Sequence, residues 1–317
     1  MTLVDLIPDL TRKTAKEYAG ACPWCGGEDR FIVFQETGRY WCRQCGKRGD
    51  TIQYLRETKG LSYQEACEAL DVEPRNNGNG RRRTPEPFTG RLTVSPGERW
   101  QEQARAFLNR TERCLWTEQG KEGLNFLRDR SVTDKTIRTA RLGWNPVDHY
   151  QLRKAWGLPD NGKKLWLPAG LVIPYQEQGR VIRLRLRRFR QDDWGRYILI
   201  SGSDTRAMLF PGNPDNYLVV ESELDGLLIH QEAGDLVSAV ALGSAQARPD
   251  RETHRLLSKA KGILVSLDSD PAGAAAAWGF WNRTYRQAKR WPCIRGKDPA
   301  DMAKAGVSIN QWVEAGL

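Results

Sequence analysis

The sequence predicts an α/β protein with a mainly parallel sheet, preceded by a mixed α+β region and by a small cysteine-rich ribbon. Two observations carry this prediction. From about residue 215 onward, short apolar strands alternate with helical patterns, which is typical of βαβ units. Near the N-terminus, four cysteines lie in two closely spaced pairs. We therefore expect a small module followed by a larger α/β body.

Length and charge set limits on what the chain can be. Its 317 residues suggest about two domains with a small third module. The net charge of +10 favours a polyanionic partner, with a general solubility charge as the alternative. No secretory signal opens the sequence, and no apolar run approaches the roughly 18 residues of a membrane span. We expect a cytoplasmic protein without a membrane partner.

Composition divides the chain into four regions. Residues 1–73 contain the paired cysteines and two short helical patterns, the second opened by a capping box at Ser62. Residues 74–97 are rich in Pro, Gly, Asn and Arg and are predicted to be a flexible linker. Residues 98–214 combine helical patterns with two strand-like segments, and residues 215–317 hold the alternating strands and helices.

The alternating region supports the most detailed secondary-structure prediction. Its strands are short, apolar and separated by helical patterns of ordinary length. The predicted strands span 218–220, 237–242 and 263–267, and the predicted helices span 222–233, 249–260 and 271–288.

The four N-terminal cysteines have the spacing of a zinc ribbon. Cys22 and Cys25 form one Cys-x-x-Cys pair, and Cys42 and Cys45 form a second pair sixteen residues later. Thiolates are soft ligands that suit tetrahedral Zn²⁺, whereas a redox site would need only one such pair. Four thiolates fill the coordination sphere, so the sequence predicts one structural zinc ion.

Aromatic and basic residues surround these cysteines, among them Trp24, Phe31, Tyr40, Trp41 and Arg43. Stacking faces beside cations suit single-stranded nucleic acid. The alternative is that a small ribbon needs its aromatic residues for a core and carries its charge outside.

One predicted strand carries a row of arginines. Arg183, Arg185 and Arg187 alternate with apolar residues, which places the three guanidinium groups on one face of the strand. A phosphate backbone is an anion that would relieve their mutual repulsion. The alternative is a solvated face neutralised by nearby acids such as Asp192 and Asp193.

Carboxylates follow the strands of the alternating region. Glu221 ends the first strand and Asp225 follows on the next helix, while Asp268 and Asp270 end a later strand and Asp298 follows a further apolar stretch. In open α/β sheets, sites form at the carboxyl ends of the strands. Clustered carboxylates repel one another, and oxygen ligands suit Mg²⁺. The sequence therefore predicts a magnesium site at this edge.

Helix capping is the alternative explanation for two of these acids. Asp225 can belong to a capping box that starts at Ser222, and Asp270 can cap the helix that follows it. Capping does not explain Glu221 or Asp268.

The order of motifs along most of the chain resembles that of DnaG-type primases, which join a zinc-binding domain to an RNA polymerase domain that contains a TOPRIM fold. The N-terminal stretch that resembles the family is "CPWCGGEDRFIVFQETGRYWCRQCGKRGDTIQYL". The middle stretches are "FLRDRSVTDKTIRTARLGWNP", "GRVIRLRLRRF" and "RYILISGSDTRAMLF". The stretches that resemble TOPRIM motifs are "VVESELDGL", "ALGSAQ", "LDSDPAG" and "GKDPAD".

The resemblance implies roles for individual residues. Glu221, Asp268 and Asp270 match the family's catalytic site for Mg²⁺ or Mn²⁺, which activates the primer 3′-hydroxyl and steadies the triphosphate. The zinc module is implied to read the template start and to hold the nascent primer. Basic residues in the matching segments are candidate contacts to DNA or NTP: Arg183, Arg185, Arg187, Arg196, Arg206 and Lys297.

The resemblance also implies a function and its partners. A primase synthesises short RNA primers on a single-stranded DNA template from NTPs. Alternatives are a TOPRIM nuclease or nicking enzyme, and a non-catalytic factor that binds single-stranded nucleic acid. The zinc ribbon and the polymerase-like middle region disfavour the nuclease, and the complete set of acids disfavours the non-catalytic factor.

Three departures from the family pattern qualify this resemblance. Cys25 stands where cellular members usually have His, which is closer to phage primases. Ser222 stands where TOPRIM proteins often have Gly. The chain ends 19 residues after Asp298, so we expect a replicative helicase on a separate chain, in a bacterial or phage-infected cell.

Overall fold

A computed structural model gives the structure of most of the chain, which clusters into two compact units, Met1–Glu86 and Pro87–Leu317. Among the described residues, none of the helices combines the length and hydropathy needed to span a bilayer. The side chains of 271–277 are not described. The described residues are 2–73, 88–190, 192–267 and 271–317.

The first unit is built on an antiparallel sheet of five strands in chain order. The capping box at Ser62 is present as predicted, because the Glu65 amide donates to Ser62 Oγ and the Ser62 amide donates to Glu65 Oε2. A hairpin joins the third and fourth strands through Gly38, whose φ of 60° favours glycine. The strands are β1 (Thr11–Arg12), β2 (Glu17–Cys22), β3 (Gly26–Phe34), β4 (Arg39–Cys42) and β5 (Arg48–Asp50), and the helices are α1 (Leu3–Leu6), α2 (Thr51–Lys59) and α3 (Tyr63–Ala69).

The first half of the second unit packs a long helix on a four-stranded antiparallel sheet of order β11-β10-β9-β6. Trp100, Ala104 and Leu108 recur at helical spacing and pack against Leu184 and Leu186 of the sheet. The helices are α4 (Glu98–Leu115), α5 (Lys121–Asp129) and α6 (Asp134–Thr139), and the strands are β6 (Gly143–Asn145), β7 (His149–Gln151), β8 (Leu165–Leu167), β9 (Gly170–Glu177), β10 (Arg180–Arg187) and β11 (Tyr197–Leu199). Strands β7 and β8 form a separate hairpin beside this sheet.

The second half contains a five-stranded sheet of order β12-β14-β13-β15-β16. Three of its four pairings are parallel, and β12 adds an antiparallel edge. The central strands are buried on both faces, which explains their continuous apolar sequence. The strands are β12 (Met208–Phe210), β13 (Asn216–Val220), β14 (Ser238–Ala241), β15 (Gly262–Ser266) and β16 (Ala288–Arg290), and the helices are α7 (Glu223–Ala233), α8 (Arg251–Leu257), α9 (Pro271–Thr284), α10 (Pro299–Lys304) and α11 (Ile309–Glu314).

The end of α9 differs from the sequence prediction. The predicted helix 271–288 ends at Thr284, and Ala288 begins the edge strand β16 instead. Pairing with β15, in which Ile263 lies opposite Ala288, gives this short segment hydrogen-bond partners that its own sequence does not reveal.

Part of the stretch predicted as a linker packs on the second unit. The Phe88 ring makes edge contacts with His254 and Phe280, with centroids 5.1 and 4.9 Å away. The Arg251 amide donates to the Arg91 carbonyl at 2.9 Å. From Phe88 onward this stretch is therefore held against α8 and α9.

Candidate active site

The four cysteines of the ribbon converge on one point. Their Sγ atoms all lie within 4.8 Å of one another, with 3.7 Å between Cys22 and Cys45 and 3.6 Å between Cys25 and Cys42. A tetrahedral zinc ion with Zn–S bonds of about 2.3 Å would separate its sulfur ligands by about 3.8 Å. The cluster therefore fits one structural zinc ion, as the spacing predicted.

The turn between Cys42 and Cys45 stabilises the form of Cys42 that binds a metal. The Cys45 amide donates to Cys42 Sγ at 3.5 Å. Burial raises the pKa of Cys42, but hydrogen bonds from the amides of Cys45 and Gln44 and from the thiols of Cys45 and Cys25 together outweigh burial and lower the pKa to about 6. These N–H groups favour the thiolate, which is the form that binds zinc.

Most aromatic residues of the ribbon form its core. Phe31 and Tyr40 are buried, and their rings stack with centroids 5.1 Å apart. Trp24 stacks on Tyr40 at 5.5 Å. Trp41 is 44% exposed, so the nucleic-acid interpretation remains open for Trp41, whereas the core interpretation holds for Phe31 and Tyr40.

Glu221 lies at the carboxyl edge of the five-stranded sheet of the second unit, which we call the second sheet. It directly follows β13, whose last residue, Val220, pairs with Ala241 of β14 and with Ser266 of β15. Burial raises the pKa of Glu221, and the Arg185 charge lowers it by less. Glu221 is therefore a half-buried carboxylate whose charged form would be stabilised by a cation.

Asp268 and Asp270, predicted to join Glu221, lie outside the described residues. Ser266 precedes Asp268 by two positions in the chain and is paired with Val220. The backbone register at this edge is compatible with the predicted grouping, which stays a prediction.

Asp225 and Asp298 both form ion pairs with the Arg130 guanidinium. Arg130 Nη2 donates to Asp225 Oδ1 at 2.7 Å and to Asp298 Oδ2 at 3.0 Å. Both acids also have local roles, because Ser222 Oγ donates to Asp225 and because Asp298 Oδ1 accepts from the Asp301 amide at the start of α10. The two acids predicted as additional magnesium ligands are thus brought together, with Arg130 as their positive partner.

Asp225 should make stability depend on pH between about 4 and 6. Burial raises its pKa from 3.8 to about 6, against the lowering effect of Arg130. The folded state favours protonated Asp225. The contribution of Asp225 to the free energy of unfolding is therefore complete below pH 4 and is lost as pH rises through 6. Between pH 4 and pH 6, the free energy of unfolding of Asp225→Asn should rise by roughly 3 kcal/mol relative to that of the wild type.

Urea unfolding of both proteins at several pH values, without divalent cations, measures this difference. Subtracting the two free energies of unfolding at each pH cancels the titration of the other groups. A difference that stays constant with pH would contradict the assigned titration of Asp225.

The row of arginines on β10 is not the open basic face that the alternation suggested. Arg183 is only 4% exposed, and its Nη2 lies 3.5 Å from Glu223 Oε1. Arg185 Nη1 donates to the same oxygen at 2.7 Å, and its Nη2 donates to the Gly243 carbonyl. The prediction that Arg183 and Arg185 face a nucleic acid is therefore wrong, because the buried Glu223 of α7 lies opposite them.

Of the two alternative acids, Asp192 was also misassigned. Asp192 pairs with Arg188, not with Arg183, Arg185 or Arg187. Neutralisation of the first two arginines comes from a helix of the neighbouring sheet.

Arg187 differs from its two neighbours on the strand. Its guanidinium lies 3.9 Å from the centroid of the Phe126 ring and 4.6 Å from that of Phe189. Burial lowers its pKa, and the nearby charges of Arg196 and Arg130 act in the same direction. Among the described residues, no carboxylate forms an ion pair with Arg187, so this positive group is available for an anion.

The remaining basic candidates separate into one paired residue and two exposed residues. Arg206 contacts Asp204, Glu177 and Glu252 at 2.8, 3.2 and 3.3 Å. This network gives Arg206 a structural role in place of the predicted contact to DNA or NTP. Arg196 and Lys297 are both exposed, and Lys297 lies one residue before Asp298.

Sequence reasoning missed Arg130 and Glu223. Each acts across a long separation, with Arg130 lying 95 residues before Asp225. The available signal for Glu223 was its place in the first turn of α7, which continues into the apolar run Leu227–Ile229.

Removing Glu223 should destabilise the second unit strongly. Glu223→Ala leaves the buried Arg183 without its partner, and we expect a loss of about 3–5 kcal/mol in the free energy of unfolding. Glu223→Gln keeps an acceptor and should lose less. Denaturant unfolding measures both, with the exposed Glu102→Ala as the matched control; equal stability of Glu223→Ala and this control would contradict the buried ion pair.

Comparison with known proteins finds similarity to primases in both the ribbon and the α/β body. Residues 1–77 match the model of the CHC2 zinc finger family. DNA primases of Pseudomonas putida and Pseudomonas aeruginosa are 25% and 26% identical to the chain over 96% and 93% of its length. By sequence, the chain is similar to these DNA primases over most of its length. It spans about half the length of these curated relatives, 51% and 49%.

Solved structures support the same fold. The zinc-binding and RNA polymerase domains of the Aquifex aeolicus primase cover 100% of this chain and 83% of their own, with a TM-score of 0.52 and 20% identity. The RNA polymerase domain of Mycobacterium tuberculosis DnaG covers 68% and 82%, with a TM-score of 0.55 and 17% identity. A DnaG catalytic domain solved with bound single-stranded DNA covers 69% and 82%, at a TM-score of 0.52 and 16% identity.

Proposed function

We propose that the protein is a DNA primase, which synthesises short RNA primers on single-stranded DNA by metal-dependent nucleotidyl transfer. The observation that carries this proposal is Glu221 at the carboxyl edge of the second sheet, beside the strand that leads to Asp268. Sequence relationship to DNA primases over most of the chain supports the same function.

The metal centre is proposed to consist of Glu221, Asp268 and Asp270 at the edge of a TOPRIM sheet. The parallel pairing of β13 with β15 supports a short distance between the residues that follow these strands. A half-buried carboxylate with a raised pKa fits a site that a divalent cation completes. Mg²⁺ or Mn²⁺ would there supply charge neutralisation for the reacting phosphates.

Side chains around this edge are proposed to position the reactants. Arg187 has no acidic partner among the described residues and lies near Arg196 and Arg130. Arg130 is paired with Asp225 and Asp298, so Arg187 and Arg196 are the guanidinium groups proposed to contact the phosphates of an incoming NTP or of the template. Arg130 holds Asp225 and Asp298 together, and we propose it as a positioning residue for these two acids.

The partners follow from this activity. We propose a single-stranded DNA template, NTPs and the nascent RNA primer as ligands, and a replicative helicase on a separate chain as a protein partner. A structural neighbour described with bound single-stranded DNA supports the first of these. The proposed location is the cytoplasm of a bacterial or phage-infected cell.

A priming assay on a panel of single-stranded templates tests this proposal. With labelled NTPs and Mg²⁺, we expect short RNA products whose amount depends on the template sequence. A parallel incubation of labelled DNA with Mg²⁺ but without NTPs should leave the DNA intact. Cleavage of that DNA, without primer synthesis, would favour the nuclease instead.

A further inference from the structure

Three aromatic side chains group on the surface of the second unit. Tyr150 of β7 lies directly opposite Trp166 of β8, so their side chains project from the same face of the hairpin. Trp194, in the loop between β10 and β11, sets its ring edge-on to Trp166 with centroids 5.4 Å apart. Tyr150 is 60% exposed and Trp194 66%. We call Tyr150, Trp166 and Trp194 the aromatic platform.

The fold holds the Trp194 loop in place. Arg188 is only 5% exposed and forms an ion pair with Asp192. Its Nη1 donates to the Trp194 carbonyl at 3.3 Å, and the Trp194 amide donates to Asp192 Oδ1 at 3.0 Å. The Arg188 guanidinium also lies 5.1 Å from the centre of the Trp166 ring. A buried arginine thus fixes the position from which Trp194 is presented to solvent.

Cations surround the aromatic platform. Lys163 and Lys164 precede β8, while Arg190 and Arg196 flank the Trp194 loop, and all four are exposed. Lys164 precedes Trp166 by two residues, a spacing that favours the same side of the strand. Of the two acids in the Trp194 loop, Asp192 is paired with Arg188, and Asp193 is exposed. Among the described residues, four exposed cations outnumber the one unpaired acid of the loop, and exposed rings beside an excess of positive charge are typical of surfaces that bind single strands.

We propose that the aromatic platform binds single-stranded DNA by stacking unpaired bases on Tyr150 and Trp194, while the surrounding cations contact the phosphates. The proposal rests on the primase function only in that the strand is the template. Unpaired bases expose both of their π faces, whereas paired bases in a duplex do not. The net charge of +10 favours this polyanion over an apolar protein partner.

Binding of a fluorescent oligothymidylate by fluorescence anisotropy tests the aromatic platform, with Mg²⁺ and NTPs left out. We expect Tyr150→Ala and Trp194→Ala each to raise the dissociation constant about tenfold. Trp194→Phe, which keeps a ring, should bind within about threefold of the wild type, and Trp194→Leu, which keeps only apolar surface, should resemble Trp194→Ala. Leu92→Ala, at another exposed apolar residue, is the matched control.

Photocrosslinking and a priming assay distinguish the proposed platform from a protein-binding surface and from the primase function itself. Photocrosslinking with 5-iodouracil in the oligonucleotide should place crosslinks on Tyr150 or Trp194. If both alanine variants bind DNA with wild-type affinity, the proposal is overturned and the primase function is unaffected. The same holds if the variants lose binding to another protein but not to DNA. Crosslinks on these residues in a protein that makes no primers would support the platform and refute the primase function.

Discussion

Glu221→Gln is expected to reduce primer synthesis by at least about a hundredfold while the protein remains folded. The substitution removes a negative charge from the edge where β13 meets β14 and β15. Nucleotidyl transfer depends on cations that neutralise the phosphates, so losing a metal-binding carboxylate removes stabilisation needed mainly in the transition state. Asp268→Ala and Asp270→Ala should have the same effect. Gel analysis of labelled primers measures all three.

The interpretation of these variants depends on two controls. Glu122→Gln, at an exposed position on α5, should synthesise primers like the wild type. Affinity for single-stranded DNA should change little in the three acid variants, because the acids act on the metal and not on the strand. Full primer yield from Asp268→Ala or Asp270→Ala would refute the proposed mechanism.

Loss of one zinc ligand should unfold the ribbon but not the second unit. Cys45→Ala leaves three thiolates around a cluster whose sulfur atoms lie within 4.8 Å of one another. Structural zinc contributes about 10–16 kcal/mol to small ribbons, more than the core around Phe31 and Tyr40 can replace. We expect zinc content to fall well below one ion per chain. Amide hydrogen exchange across β2–β4 should rise sharply.

A cysteine outside the cluster provides the matched control. Cys114→Ser, at the end of α4 in the second unit, should retain one zinc ion per chain and normal exchange in the ribbon. Protection in β13 and β14 should be unchanged in both variants, since these strands belong to the other unit. A fully folded ribbon without zinc would contradict the structural role of the metal.

Local patterns were sufficient to predict the parts of the protein that depend on short-range sequence. The spacing of Cys22, Cys25, Cys42 and Cys45 predicted a cluster that the structure assembles. Apolar runs predicted three of the five strands of the second sheet, β13, β14 and β15, because a strand buried on both faces must be apolar throughout. Glu221 was correctly expected at a carboxyl edge for the same reason, since the strand before it was recognisable.

Contacts across long sequence separations could not be predicted in this way. Period-two alternation correctly put Arg183 and Arg185 on one face of β10, but it carried no information about Glu223, about 40 residues away, which neutralises them. Arg130 likewise bridges Asp225 and Asp298 from a different part of the chain. Ion pairs of this kind have no periodicity, so only the assembled fold reveals them.

A crystal structure with Mn²⁺ in place of Mg²⁺ and with a bound NTP tests the proposed metal centre most directly. Anomalous scattering locates the manganese ion independently of the protein. We predict a peak about 2.1 Å from carboxylate oxygens of Glu221, Asp268 and Asp270, next to the triphosphate. A structure in which Glu221 lies far from Asp268, or in which the nucleotide binds without metal contact to these acids, would contradict it.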